Sequence, residues 1–245
     1  MLADKHAARK FFALDGPISS RKWGCRLVWW WARVSNTCHT ERVGISGRGK
    51  AKHMFCASRP LQKSIDVFLS AQQNQKFSYA EVGSSRHEAP NAYTADHNRI
   101  KLGQGTDTFE RAKRAIQQWK MFEMDWIKLC WPDTLIVPGA NVAVVVSHLG
   151  FWSMNACRIV YVVEGPGSLE KYGFAYGTLP EHGEIGEERF TVEFHHEDQT
   201  VWYDLYAFSR PTALARLAYP FTRRLQKRFA RDSKSAMLKA VQFPG

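Results

Sequence analysis

At 245 residues, 44% of them hydrophobic, the chain is long enough to bury one sizeable core, and its Lys and Arg exceed its Asp and Glu by 11. That excess sits at the ends: residues 1–60 carry +9, residues 61–211 carry −5 and residues 212–241 carry +7, which argues against a nucleic-acid-binding body and reads the last run as a solvated helix face. Five cysteines with no CxxC argue against a disulfide framework or zinc ribbon and for a cytoplasmic setting, and no apolar run reaches the ~20 residues of a membrane-spanning helix.

Residues 1–60, including the run LVWWWARV, follow neither helical nor strand periodicity. Three readings compete for this unstructured basic extension. It is a basic arm, an extra element packed on the domain, or upstream sequence translated from an early start codon with Met54 the true start. The last is favoured, because the stretch lacks the composition of a linker or tail. A single domain is expected over 61–245.

From residue 61 the periodicity sharpens. Leu61, Ile65, Phe68 and Leu69 share one helical face. A turn-rich loop, FSYAEVGSSRHEAPNAY, leads to a strand in YTADHNRIKLGQG. Asp107 and Glu110 are spaced as a capping box, and Phe109, Ala112, Ile116, Trp119 and Phe122 continue at helical spacing. After Trp131-Pro132 the period becomes two: NVAVVVSH, FWSMNACRIVYVVE, KYGFAYGTL, GEERFTVEFH and TVWYDLYAFS read as antiparallel strands joined by short turns. Leu214, Leu217, Ala218, Phe221, Leu225, Phe229 and Ala236 form the stripe of a long closing helix, with a kink expected at Pro220. A sheet with one apolar face and one long striped helix bury both by curling the sheet round the helix. The expected class is therefore α+β, a helix-grip layout with a natural cavity between sheet and helix.

Strand alternation puts Tyr172, Phe174, Tyr176 and Thr178 on one face and the nearly bare Gly173, Ala175 and Gly177 on the other, so something packs closely there or the strand bends. In the next strand Glu188 shares its face with Phe190, Val192 and Phe194. A carboxylate on an inner face needs a partner or a raised pKa. Arg158, placed by alternation with Val160 and Val162, is the favoured partner in a structural ion pair. A polar anchor within a ligand cavity comes second, and Glu188 as general acid or base third. His182 lies among Glu181, Glu184 and Glu187 but without metal-ligand spacing, so no metal is expected, and no motif calls for a cofactor.

The strings FSYAEVGSSR, AYTADHNRIKLGQG, FERAKRAIQQW, CRIVYVV, YGFAYGTLPEHGEIGEERFTV, AFSRP and YPFTRRLQKRF, in this order, resemble the DUF1990 (UPF0548-type) family of bacterial and plant proteins of unknown function. The resemblance runs from about Phe77 to Met237. It implies membership of the START-like, or Bet v 1-like, helix-grip superfamily, whose cavities bind lipids, hormones or other apolar molecules and of which a minority are enzymes. It carries over no catalytic residue.

The expectation is thus a cytoplasmic protein binding a small apolar or amphipathic ligand, with Tyr176, Trp202 and Tyr206 as walls and Arg158 and Glu188 as polar groups. The alternative is a hydrolase- or cyclase-type enzyme using Glu188 with Tyr176 or His182, which requires Glu188 to face the cavity without an Arg partner. A basic surface binder acting through the C-terminal helix and the N-terminal arm is the third reading, and nucleic acid is the disfavoured partner.

Overall fold

The computed structural model describes residues 55–212, 216 and 219–242. Residues 1–54 of the N-terminal extension, the candidate start Met54 among them, and Leu214, Leu217 and Ala218 of the expected stripe lie outside the described residues. The described elements are β1 (Phe55–Cys56), α1 (Gln62–Gln72), β2 (Thr94–Gln104), α2 (Thr106–Gln117), β3 (Ile127–Cys130), β4 (Asn141–His148), β5 (Phe151–Gly165), β6 (Leu169–Thr178), β7 (Glu184–His195), β8 (Thr200–Pro211) and α3 (Tyr219–Gln242). Single-turn 3₁₀ helices at Ser84–Arg86 and Lys120–Phe122 lie between them.

The strands form one antiparallel sheet in the order β2-β8-β7-β6-β5-β4-β3, and β1, ahead of the expected boundary at residue 61, pairs with β5 where β6 has ended. The five strands from β4 to β8 pair with their sequence neighbours in four consecutive hairpins, and β2 closes the far edge against β8. α2 and α3 pack on the concave face over a core that includes Phe109, Ile116, Phe174, Phe190, Tyr203 and Met237. α1 packs on the convex face, where Ile65 and Phe68 meet Ala143, Val145, Met154, Ala156 and Leu179. The unbroken apolar run of β4 follows from this sandwiching, since Val142 and Val144 serve one core and Ala143 and Val145 the other. This is the helix-grip layout.

Four local expectations are corrected. Leu61 is 75% exposed, because α1 begins one residue later and only the face through Ile65, Phe68 and Gln72 meets the sheet. The Asp107 capping box does not form: Gly105 is the N-cap residue, leaving Asp107 inside the first turn, where its charge still complements the helix dipole. Trp119 does not continue α2. It adopts a left-handed backbone (φ 57°), and its indole Nε1 donates to the Thr134 carbonyl at 3.1 Å while its ring stays buried. Pro220 sits in the first turn of α3 rather than inside it, where the missing N–H costs nothing and no kink is required. The deepest residues of α3 are Ala230, Ser233, Met237 and Val241, with the Ser233 hydroxyl 2.9 Å from that of Tyr203. A serine at the centre of the buried stripe hides it from an apolar pattern.

Candidate functional site

Alternation in β6 and β7 places their side chains as the sequence implies. Tyr172, Phe174 and Tyr176 pair across with Val192, Phe190 and Glu188 on the concave face, and Gly173, Ala175 and Gly177 with Thr191, Arg189 and Glu187 on the convex face. Arg158 departs from its expected place. The β5–β6 register shifts between Ile159 and Tyr161, so Val160 is a bulge that resets the alternation. Arg158 pairs across from Gly177 on the convex side, whereas Val162 lies opposite Phe174 on the concave side.

The expected Arg158–Glu188 pair is therefore replaced by two separate arrangements. The Arg158 guanidinium donates to the carbonyls of Gln72 (3.0 Å), Gln73 (2.8 Å) and Gln75 (2.7 Å) at the C-terminal end of α1 and to Asn141 Oδ1 at 2.7 Å. It caps a helix end whose carbonyls have no intrahelical partner. Arg158→Ala is expected to cost about 2–3 kcal/mol and to speed amide exchange across 62–76, read by denaturant midpoint and hydrogen exchange. A surface pocket of about 560 Å³ opens beside it, lined also by Lys76, Phe77, Tyr79 and Val82. Its arginine already has its donors engaged, and it lies on the face opposite Glu188.

On the concave side the Tyr176 hydroxyl donates to Glu188 Oε2 at 2.7 Å, and among the described residues no Lys, Arg or His nitrogen comes within ion-pair distance of that carboxyl. Burial pushes Glu188 up to about 8. The Tyr176 hydrogen bond opposes the shift, and the charges of Glu184 and Asp96 add to it. Glu184, the first residue of β7, is raised by burial to about 7, though Gln226 Nε2 donates to it at 2.5 Å. Arg223 of α3 is the nearby cation, and it is already held in a two-pronged pair by Asp96, with one N–O distance of 2.7 Å. Glu188 keeps some accessible surface although protein surrounds it, as expected of a group lining an internal space. The rings of Phe122 and Phe190 pack on Tyr176 with centroid separations of 6.2 and 5.2 Å, and Phe229 packs on both of them at 5.5 and 6.4 Å. Glu188 is the polar group at the edge of this aromatic cluster.

Of the five residues singled out, the structure brings together Tyr176 and Glu188. Trp202 and Tyr206 lie on the convex face opposite Glu193 and Arg189, under the guanidinium groups of Arg99 (4.8 Å) and Arg189 (5.2 Å). They form part of a charge lattice in which Lys171 meets Glu193 at 2.6 Å and His97 meets Asp204 at 2.5 Å. They are corrected from cavity walls to outer-face residues. His182 accepts the Glu184 N–H on Nδ1 at 2.9 Å, and burial lowers its pKa to about 4. No group of three or more His, Cys, Asp or Glu side chains arranged to hold a metal occurs among the described residues.

Sequence reasoning missed Glu187, which is 3% exposed. It accepts hydrogen bonds from Tyr79 Oη at 2.6 Å, Gly83 N at 2.7 Å, Ser85 N at 3.0 Å and Ser85 Oγ, and so fastens the loop FSYAEVGSSR over the convex face. Gly83 turns these N–H groups inward with a left-handed φ of 90°, which glycine adopts without strain. Gly177 is bare because Tyr79 lies on it: a Cβ there would run into the Tyr79 hydroxyl. Gly177→Ala is expected to cost about 1–3 kcal/mol by overpacking, checked by thermal melting. The signal was present in the bare face of β6, but the loop that fills it lies about 100 residues earlier in the chain.

Residues 78–236 match the family model described as a domain of unknown function, DUF1990. A UPF0548 protein of Dictyostelium discoideum is 33% identical over 208 residues, covering 77% of this chain and 96% of that protein. One from Deinococcus radiodurans is 34% identical over 201 residues, covering 77% and 99%. Among solved structures, Ara h 8.0201 aligns with a TM-score of 0.39 at 10% identity, over 60% of this chain and 99% of that one. Norcoclaurine synthase from Thalictrum flavum aligns with a TM-score of 0.39 at 9% identity, over 84% and 99%. These structural likenesses are too distant to carry a function across.

Proposed function

This chain belongs to the DUF1990 family, and on that premise we propose that it binds a small amphipathic molecule between the concave face and α3, with the Tyr176–Glu188 pair as the polar anchor. The observation that carries this reading is a carboxyl beside an aromatic cluster on the concave face, hydrogen-bonded by a tyrosine and lacking a cation within ion-pair distance among the described residues. A structural carboxyl would be matched as Glu187 is, by a full set of donors. Glu188 instead has capacity left over for a guest. The free thiols Cys130 and Cys157 accord with a reducing, cytoplasmic setting. No helix among the described residues is long and apolar enough to cross a membrane.

Native mass spectrometry of the purified full chain tests the reading. The expected result is a copurifying small molecule with wild type and its loss in Glu188→Ala. A protein that is empty, and that no amphipathic probe stabilises against heat, would overturn it. A second reading, acid–base catalysis of a hydrolase or cyclase type, is favoured by the value of about 8 for Glu188, which lies close to working pH. It predicts turnover of the bound molecule, lost in Glu188→Gln.

A further inference from the structure

We infer that the head group bound at Glu188 is neutral and reaches it as a hydrogen-bond acceptor, a ketone, ester or ether oxygen, so that binding is coupled to the proton on Glu188. This rests on the ligand-binding reading above. The groups facing Glu188 come from every neighbouring element. Tyr176 of β6 donates to Oε2, and no described residue donates to Oε1. On β8, the Tyr203 hydroxyl is engaged with Ser233. On β5, Cys157 is a thiol held neutral by burial, with Glu188 and Glu184 adding to that effect. On β7, Glu184 is held by Gln226 of α3, and on β2, Asp96 is taken by Arg223 of α3.

Around Glu188, then, the nearby cation is Arg223, which acts on Glu184 from a distance and is committed to Asp96, and Glu188 itself has no cation within ion-pair distance among the described residues. An anionic head group would find no uncommitted cation there to offset the cost of leaving water. The same shortage keeps a proton on Glu188, because a carboxylate in an apolar enclosure without a counter-charge is more costly than the neutral acid. With Oε2 accepting from Tyr176, the proton belongs on Oε1. There it is a donor with no acceptor among the described residues, on a side chain that keeps some accessible surface, and a guest that supplies an acceptor oxygen satisfies it.

Calorimetric titration of the full chain with 2-octanone, octylamine and octanoate, which share a chain and differ in head group, tests the inference at pH 6.5 and pH 9.0. The expected result is preference for 2-octanone at pH 6.5 and a fall of about tenfold by pH 9.0, one unit above the Glu188 value of about 8. Glu188→Gln, which keeps an amide donor at the position, is expected to bind 2-octanone equally at both pH values. A preference for octylamine that strengthens with pH, a preference for octanoate, or pH-independent ketone binding by wild type would each overturn the inference and leave the amphipathic ligand standing. Binding of none of the three would overturn both.

Discussion

Glu187→Ala is expected to release residues 78–93 from the convex face and to cost about 3–5 kcal/mol, the scale of removing one partner from a buried charged network. Four donors converge on this carboxylate, and two of them are backbone N–H groups that no side-chain substitution can remove. Ser85 is fully buried, so its N–H would be left unsatisfied, and its hydroxyl would keep only that of Tyr161 at 2.7 Å. Arg189, which also donates to the Ser85 carbonyl at 2.7 Å, would lose the surface on which it is ordered. Glu187→Gln retains the volume and one acceptor oxygen, and should fall about halfway. Urea midpoints measure the loss, and limited proteolysis locates it. A loss below about 1 kcal/mol, with cleavage no faster in 78–93, would show that the loop is held by packing instead.

The second large effect concerns pH. Glu188 is raised from 4.5 to about 8 by burial and Glu184 to about 7, so the native state holds protons that the unfolded chain has released. Stability from this source is full below about pH 4.5 and is lost as pH rises toward 8, because the unfolded state binds fewer protons throughout that window. His148 and His182 work in the opposite sense. Burial lowers both from 6.5 to about 4, so their contribution is full above pH 6.5 and is lost as pH falls toward 4. The two trends oppose each other below pH 6.5, and above it only the carboxyls act. Wild type is expected to lose about 1–2 kcal/mol between pH 6.5 and 8.5, chiefly through Glu188, after allowance for its partial accessibility. Glu188→Gln should flatten that decline and exceed wild type in stability at pH 8.5. Urea midpoints at the two pH values provide the check, and a flat wild-type profile would mean that Glu188 is already ionised in the folded protein.

Glu187 and Glu188 are neighbours in sequence with opposite roles, and strand alternation explains how. One lies on the concave face with capacity unused, and the other points outward into a loop that saturates it. The sequence alone separates the two faces, because side-chain alternation is a property of the extended backbone. It does not rank them, because the donors that match Glu187 come from a loop about 100 residues away. Arg158 shows the other way local reading fails. A single bulge at Val160 reverses the facing of everything beyond it, and no composition signal marks that residue. Trp202 and Tyr206 were misplaced for a related reason: aromatic residues suit a cavity wall, but here they support guanidinium groups on the outer face.

By itself, then, the sequence determined the strands of the second half, the amphipathic helices, the helix-grip class and the shared face of Tyr176 and Glu188, since each follows from a repeat of 2 or 3.6 residues within a single element. Only the tertiary structure decided which helix covers which face, that Arg158 caps α1 rather than meeting Glu188, and that Glu187 is the saturated carboxylate while Glu188 is the open one. Those outcomes depend on contacts between residues far apart in the chain, and local periodicity carries no information about such partners.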